Sequence, residues 1–133
     1  KASKLSDITF HSIFKVVVIH EDTTYMSEIM DAINTHCMNL HIVRSEGSIY
    51  TLTHILATKG ETLKRILDMY NISTNQVLAF GDNYNDISLF QCACISVAMN
   101  NAEEEVKKEA TFITKSNNEH GVSIFIKKYL INN

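Results

Sequence analysis

Proline is absent from this sequence, and glycine occurs only four times in 133 residues. An average chain of this length would contain roughly seven prolines and nine glycines. Collagen-like, low-complexity and proline-rich linker architectures are therefore excluded. The hydrophobic fraction of 45% and the charged fraction of 20% are instead ordinary for a chain that buries a core.

Long hydrophobic runs and basic clusters are also missing. The longest aliphatic run, Val16-Val17-Val18-Ile19, falls far short of the roughly 20 residues that cross a bilayer, and no signal-peptide pattern is seen. The 15 acidic and 12 basic residues give a net charge of -3 and form no basic stripe of the kind that binds phosphate backbones. We therefore expect a cytoplasmic protein whose partners are neither nucleic acids nor membranes.

Cysteine is scarce and odd in number. Of the three cysteines, Cys92 and Cys94 are separated by one intervening residue, whereas zinc and redox motifs typically have two or more residues between their cysteines. We expect buried, reduced thiols, which suit a reducing compartment. The six histidines show neither HExxH nor His-x3-His spacing, so we expect structural histidines.

The first part of the chain has a β-α-β-β pattern. A β-branched run predicts a strand over residues 13–19, buried in a sheet, and a helix follows an N-cap at Asp22 or Thr23. Two more strand-like runs, residues 40–44 and 49–55, surround the Glu46-Gly47 turn and indicate an antiparallel hairpin.

The second part alternates helices and strands. Thr58 and Glu61 form a capping box before a helix with Leu63, Ile66, Leu67 and Tyr70 on one face. Strands are predicted over residues 77–80, 95–98 and 111–113, and helices over 84–91, 102–108 and 121–130. Alternation with short connections predicts an α/β fold with a parallel, doubly wound sheet. We place the boundary between the two parts near Leu56, which gives units of residues 1–55 and 56–133.

The segment Gly81-Asp82-Asn83-Tyr84-Asn85-Asp86 follows the most apolar predicted strand. Ligands of open α/β sheets bind beyond the carboxyl ends of the strands. Gly81 would permit a sharp turn, and Asp82 and Asp86 would then form a hard-oxygen site suited to Mg²⁺. The alternative is that both aspartates only cap the turn and the helix. EF-hand spacing is excluded, because a Gly at position six and a Glu at position twelve are lacking.

Lys59 is a second candidate. It lies in the first turn of a predicted helix, where free amides and the helix dipole favour an anion such as phosphate. The alternative is a solvated lysine in a capping box.

These motifs together resemble the C-terminal half of the haloacid dehalogenase (HAD) superfamily, in particular the Cof-type phosphatases with a C2 cap. The matching stretches are Lys59-Gly60, residues 81–86, residues 97–102, residues 114–117 and Gly121-Val122. The resemblance implies a HAD-like Rossmannoid core over residues 56–133 and the latter part of a C2-type cap over residues 1–55.

The resemblance also implies a function. The family hydrolyses small phosphomonoesters, often sugar phosphates, through an aspartyl-phosphate with the help of Mg²⁺. By this resemblance Asp82 ligates the metal, Asp86 holds its outer shell and Lys59 balances charge. Asn85 contacts phosphate or orders the loop, and Asn117 faces the same crevice as a phosphate- or substrate-binding residue. His41, Arg44, Tyr50 and His54 are cap residues of unassigned role.

The sequence departs from the family in ways that keep a rival hypothesis open. It contains no Asp-x-Asp-x-Thr nucleophile motif and no Ser/Thr phosphate motif, it has His54 and His120 where relatives commonly have acidic residues, and it lacks the Pro often found before Lys59. Because the chain starts at Lys1, we expect the second half of an enzyme that is inactive alone. It would pair with its missing half or with itself. The alternative is a non-catalytic module that binds phosphate or a partner.

Overall fold

The computed structural model describes residues 14–44 and 48–131. The chain divides between Ile55 and Leu56 into two compact units, residues 1–55 and 56–133. The division falls where the strand pattern of the sequence changes.

The first unit has the predicted β-α-β-β order. It comprises β1 (Val16–Ile19), α1 (Thr23–His36), β2 (Leu40–Arg44) and β3 (Ile49–His54). Asp22 is the N-cap of α1, because its Oδ1 accepts hydrogen bonds from the backbone N–H groups of Thr24 and Tyr25 at 2.9 and 3.0 Å. The strands are antiparallel in the order β1-β3-β2, which confirms the hairpin; its Glu46-Gly47 turn lies outside the described residues.

The prediction that strand 13–19 is buried is wrong for the residues described. Val17 and Ile19 are exposed, and β1 is an edge strand paired only with β3 in the part of the sheet that the structure describes. The core of this unit is built from Met26 and Met30 of α1 and Leu52 of β3. Among the described residues of this unit, one helix covers one face of a three-stranded sheet, so the β-branched residues of the edge strand β1 stay partly exposed to solvent.

The second unit contains a parallel sheet, as predicted. Its strands are β4 (Leu78–Gly81), β5 (Ile95–Ala98) and β6 (Phe112–Ile113), in the order β4-β5-β6. The helices are α2 (Lys59–Tyr70), α3 (Ile87–Phe90), α4 (Glu104–Lys108) and α5 (Gly121–Ile126), the last of which continues into a π-helical stretch, Lys127–Ile131. Three short 3₁₀ turns, Thr74–Gln76, Tyr84–Asp86 and Asn117–Glu119, were not predicted.

The core of the second unit is centred on the sheet. One cluster of buried side chains consists of Ala79, Phe90, Ala98, Ala102 and Val106, and Leu67, Val97, Met99 and Phe125 are buried as well. Only Leu67 is buried among the four residues of the predicted apolar face of α2, whereas Ile66 and Tyr70 are exposed. The helix packs mainly against α3 and the turn before it, which leaves most of its apolar face uncovered in the described chain.

The cysteines correct another prediction. Cys37 and Cys94 are exposed and Cys92 is only half-buried, although all three are free thiols, as expected. Cys37 lies at the C-cap of α1, where its backbone N–H bonds to the carbonyl of Ile33, so it is outside the apolar stripe.

Candidate active site

The loop after β4 is closed by the side chain of Asp86. Asp86 is 4% exposed, and its Oδ2 accepts hydrogen bonds from the backbone N–H groups of Asp82 and Asn83 at 3.0 and 3.1 Å. Asn83 in turn accepts the Tyr84 N–H through its own Oδ1 at 2.7 Å. These bonds explain why the predicted helix over residues 84–91 starts as a 3₁₀ turn, since the carboxylate binds the amides that precede it.

Gly81 is required for a different reason from the predicted one. Its φ is outside the left-handed region, so a sharp turn does not demand glycine. A Cβ added at Gly81 would instead lie 2.4 Å from the Cβ of Asp86 and 2.8 Å from its Oδ2. Glycine is therefore the residue that lets the carboxylate fold back against the strand end.

Lys59 reaches the same carboxylate from α2. Its Nζ forms an ion pair with Oδ1 of Asp86, and about half of the lysine side chain (49%) remains exposed. Both oxygens of Asp86 are thus satisfied, one by an ammonium and one by two amides. The ammonium group has three donors, and its exposed side is free to approach an anion.

Close packing fixes the start of α2. The N–H of Gly60 donates to Ser88 Oγ at 3.2 Å, and a Cβ at Gly60 would lie 2.2 Å from the Ser88 carbonyl oxygen. Thr58 caps the helix by accepting the Glu61 N–H at 3.1 Å. The backbone N–H groups of Gly60 and Glu61 in the first turn are therefore already hydrogen-bonded. An anion would bind to the side chain of Lys59 and not to the N-terminal amides of the helix.

Asp82 has a carboxylate that is open to solvent. Its Oδ2 accepts a hydrogen bond from Asn101 Nδ2 at 3.3 Å. Asn101 Oδ1 accepts the backbone N–H of Asn117 at 3.0 Å, while the side-chain Oδ1 of Asn117 accepts the N–H of Asn118 at 2.8 Å. A chain of two hydrogen bonds therefore links Asp82 through Asn101 to the loop after β6.

Asn101 is a further functional candidate, to which the sequence motifs gave no role. It lies within the matched stretch after β5, and its signal was an amide just beyond the carboxyl end of a parallel strand, the same edge at which Asp82 lies. The structure brings Lys59, Asp82, Asp86, Asn101 and Asn117 together in one unit.

The remaining predicted residues are placed as follows. Asn85 is exposed on the loop, and its backbone carbonyl accepts the Ser88 hydroxyl at 3.3 Å. In the first unit, Tyr50 packs on the α1 core and Arg44 is paired directly with it across the hairpin, so the two share the α1 face. His54 lies an even number of residues from Tyr50 on the same strand and therefore also lies on the α1 face. His41 lies on the opposite face, beside Thr53.

The donor set fits Mg²⁺. Among residues 14–44 and 48–131, no three His, Cys, Asp or Glu side chains are grouped closely enough to hold a metal ion by themselves. Mg²⁺ does not need such a cage, because it usually binds one or two carboxylates and completes its octahedron with water and substrate phosphate. The exposed Asp82 carboxylate suits direct ligation, and the saturated Asp86 carboxylate suits an orienting role behind it.

Within the described ranges, no helix combines the length and the apolar character needed to cross a membrane.

Comparison with known proteins gives a consistent result. The profile of the haloacid dehalogenase-like hydrolases matches residues 1–126. The chain is 34% identical over 119 residues to the 5-amino-6-(5-phospho-D-ribitylamino)uracil phosphatase YwtE of Bacillus subtilis, covering 90% of this chain and 41% of that protein. It is 38% identical over 95 residues to the phosphatase YwpJ of the same organism, covering 71% and 33% of the two chains.

Solved structures agree with these relatives. A haloacid dehalogenase-like hydrolase from B. subtilis superposes with a TM-score of 0.80 at 30% identity, covering 89% of this chain and 41% of that one. The HAD subclass IIB sugar phosphatase BT4131 gives a TM-score of 0.76 at 26% identity, covering 87% and 43%.

The chain spans between about a third and two fifths of the length of the two curated relatives named here. The family match nevertheless extends over almost all of its residues and includes every matched motif, so the resemblance predicted from those motifs is confirmed. This chain belongs to the haloacid dehalogenase-like hydrolase family, and its second unit has the parallel-sheet α/β fold of that family.

Proposed function

We propose that this chain forms the metal-binding and charge-balancing part of a Mg²⁺-dependent phosphatase that acts on a small phosphorylated metabolite. The observation that carries the proposal is the exposed Asp82 carboxylate at the carboxyl end of β4, held next to the ion pair between the half-exposed Lys59 and the buried Asp86. Residues 56–133 would belong to the catalytic core and residues 1–55 to its cap.

Each residue contributes a charge or a position. Asp82 would ligate Mg²⁺, and Asp86 would hold the loop and orient Lys59, whose exposed ammonium face would meet the transferred phosphoryl group. When bound, Mg²⁺ would neutralise charge on the phosphoryl oxygens. Phosphoryl transfer depends mainly on such positioning and electrostatic stabilisation, so this arrangement suits the reaction. Asn85 would contact phosphate from the loop.

The substrate proposal is drawn from the relatives. One is named as a phosphatase of a ribitylamino-uracil phosphate and another as a sugar phosphatase. We propose a sugar-phosphate-like substrate, hydrolysed through an aspartyl-phosphate. The nucleophilic Asp of that route would come from outside these 133 residues, since the Asp-x-Asp-x-Thr motif is not in them.

The test uses the protein in its full native length. Hydrolysis of an aryl phosphate is measured against Mg²⁺ concentration for the wild type, for Asp82→Ala and for Asp68→Ala, an exposed carboxylate on α2 that serves as the matched control. We expect Mg²⁺-dependent turnover that Asp82→Ala lowers by at least about a hundredfold, because a direct metal ligand is lost, while Asp68→Ala stays near wild type. Activity that survives Asp82→Ala would refute the proposal.

The rival function, a non-catalytic module that binds phosphate or a partner, makes a different prediction. It requires that the full-length protein show no Mg²⁺-dependent turnover at all. Turnover by the wild type excludes it, whatever the variants do.

A further inference from the structure

Lys59 is held at both ends by one short segment of the chain. At the tip of its side chain, Nζ forms an ion pair with Oδ1 of Asp86. At its root, the next residue of α2, Gly60, donates its backbone N–H to Ser88 Oγ at 3.2 Å. Asp86 and Ser88 lie two residues apart, where the loop after β4 enters α3, so both anchors belong to one turn of the chain.

The hydroxyl group of Ser88 has a partner on each side. It accepts the Gly60 N–H, and it donates to the backbone carbonyl of Asn85 at 3.3 Å. A serine hydroxyl supplies one donor and two acceptor lone pairs, so both bonds can form at once. Ser88 therefore joins the loop that carries Asp82 to the start of α2, although Gly60 and Ser88 are 28 residues apart in sequence.

Further contacts restrict the backbone at the root of Lys59. A Cβ added at Gly60 would lie 2.2 Å from the carbonyl oxygen of Ser88 and 3.1 Å from its Cβ. The carbonyl oxygen of Gly60 accepts a weak hydrogen bond from Cys92 Sγ at 3.7 Å. The first turn of α2 therefore packs directly against α3, and the Ser88 hydroxyl holds the amide that follows Lys59.

A lysine needs such support if its ammonium is to act at a defined point. The ammonium is carried on a flexible four-carbon stem, and about half of the Lys59 side chain (49%) is exposed, so packing around the stem does not fix it. Groups that take part in catalysis must be held within about 0.5 Å of the productive geometry by their supporting contacts. An anchor at the root as well as at the tip supplies this restraint.

We infer that Ser88 is a positioning residue, which sets where the Lys59 ammonium meets the transferred phosphoryl group. The inference rests on the proposed phosphatase function and adds a residue to which the sequence motifs gave no role. Ser88 acts through Gly60 and Lys59 and not on the substrate itself. Loss of its hydroxyl would leave the Asp86 carboxylate at the tip of the lysine and release the root.

The test compares Ser88→Ala with Ser96→Ala in the full-length protein. Ser96 is a matched control, because its hydroxyl on β5 also makes two hydrogen bonds, both with Thr111, at 3.0 Å to the N–H and 3.1 Å to the hydroxyl. We expect both variants to lower the urea midpoint, but only Ser88→Ala to lower kcat for an aryl phosphate, by roughly tenfold. A misplacement of about 1 Å can cost a hundredfold in rate, and a lysine loosened at one end should cost less.

A double-mutant cycle shows whether Ser88 acts through Lys59. In a Lys59→Met background, Ser88→Ala should cause no further loss of kcat, because residues that act through one another have non-additive effects. The Mg²⁺ dissociation constant of Ser88→Ala, measured by calorimetry, should equal that of the wild type. A weakened Mg²⁺ affinity in Ser88→Ala would show that Ser88 supports the loop and not the lysine, which would overturn the inference.

Binding of inorganic phosphate, also measured by calorimetry, repeats the comparison without turnover. Ser88→Ala should weaken phosphate binding when Lys59 is present and leave it unchanged in the Lys59→Met background. Equal losses in both backgrounds, or a kcat for Ser88→Ala that matches that of Ser96→Ala, would refute the positioning role. Failure of the phosphatase proposal looks different, because the wild type itself would then show no Mg²⁺-dependent turnover.

Discussion

Two aspartates four residues apart have opposite environments in this structure. Asp86 is buried and bonded at both oxygens, whereas Asp82 is exposed and shares one oxygen with Asn101. Their chemical identity gives no hint of this difference. This difference supports the proposed positioning role of Asp86, and it leaves the Asp82 carboxylate accessible to a ligand.

Matched substitutions should separate the two roles. Asp86→Asn is expected to lower the free energy of unfolding by about 2 kcal/mol, because the two backbone hydrogen bonds lose their charged acceptor and the NH₂ group of asparagine cannot accept from Lys59. Asp82→Asn should change it by less than about 0.5 kcal/mol, as expected of an exposed side chain, yet abolish Mg²⁺ binding. Urea denaturation and isothermal titration calorimetry measure the two effects. Equal destabilisation by both variants would contradict this assignment.

Asn101 should act on metal binding through Asp82. Its Oδ1 accepts the Asn117 N–H, so its Nδ2 must face the Asp82 carboxylate. Groups that orient a metal ligand typically contribute about 10–100-fold to affinity, and the long 3.3 Å bond places Asn101→Ala near the lower end. We expect a Mg²⁺ dissociation constant raised roughly tenfold by calorimetry, with the neighbouring Asn100→Ala as control. A similar change in both variants would show that Asn101 has no specific role.

At the level of single elements, local sequence signals were most reliable where the interaction is itself local. The Asp22 and Thr58 caps involve atoms within a few residues, and both are present. The 3₁₀ turn over Tyr84–Asp86 was missed, because it depends on a carboxylate that folds back onto earlier amides. The burial of β1 was predicted wrongly, since burial depends on neighbours that the strand does not encode.

The turn over Asn117–Glu119 should depend on pH. The pKa of Glu119 is lowered, chiefly by the hydrogen bond from the Ser116 hydroxyl, then by the Ser116 N–H and by the charge of Lys115. Because the folded state lowers this pKa, the stabilisation is full above the ordinary glutamate pKa of about 4.3 and is lost as the pH falls through the lowered value.

This behaviour can be followed by NMR. The amide proton of Ser116 should shift as the pH falls below the ordinary range of glutamate, and the midpoint should lie under that of an unstructured glutamate. Glu119→Gln is the control, because its side chain does not titrate. A Ser116 amide that titrates identically in both proteins would disprove the role of Glu119.

On the scale of the molecule, the apolar strand β4 has an open edge. In the described residues β4 pairs only with β5, and open edges of apolar strands invite pairing with another chain. The exposed Ile66, Met69 and Tyr70 on α2 add apolar surface in the same unit. We therefore expect the 133-residue chain by itself to self-associate.

Sedimentation velocity over a range of concentrations tests this expectation. The double substitution Met69→Lys and Tyr70→Lys distinguishes two routes. If the chains associate through the β4 edge, association should persist in this variant. If they associate through the exposed face of α2, it should be abolished. A monomer at every concentration in the unsubstituted chain would contradict both routes.

The sequence by itself determined the α/β class, the parallel order of the second unit and the motifs that place this chain in its family. These features depend on periodicity, capping and short motifs, which are written in consecutive residues. Tertiary structure alone decided that Gly81 makes room for Asp86, that Lys59 neutralises it and that Asn101 links Asp82 to Asn117. Each of these contacts joins segments that are distant in sequence or involves a side chain that folds back onto its own loop. Such contacts depend on how the elements pack in three dimensions, and for this reason they cannot be read from consecutive residues.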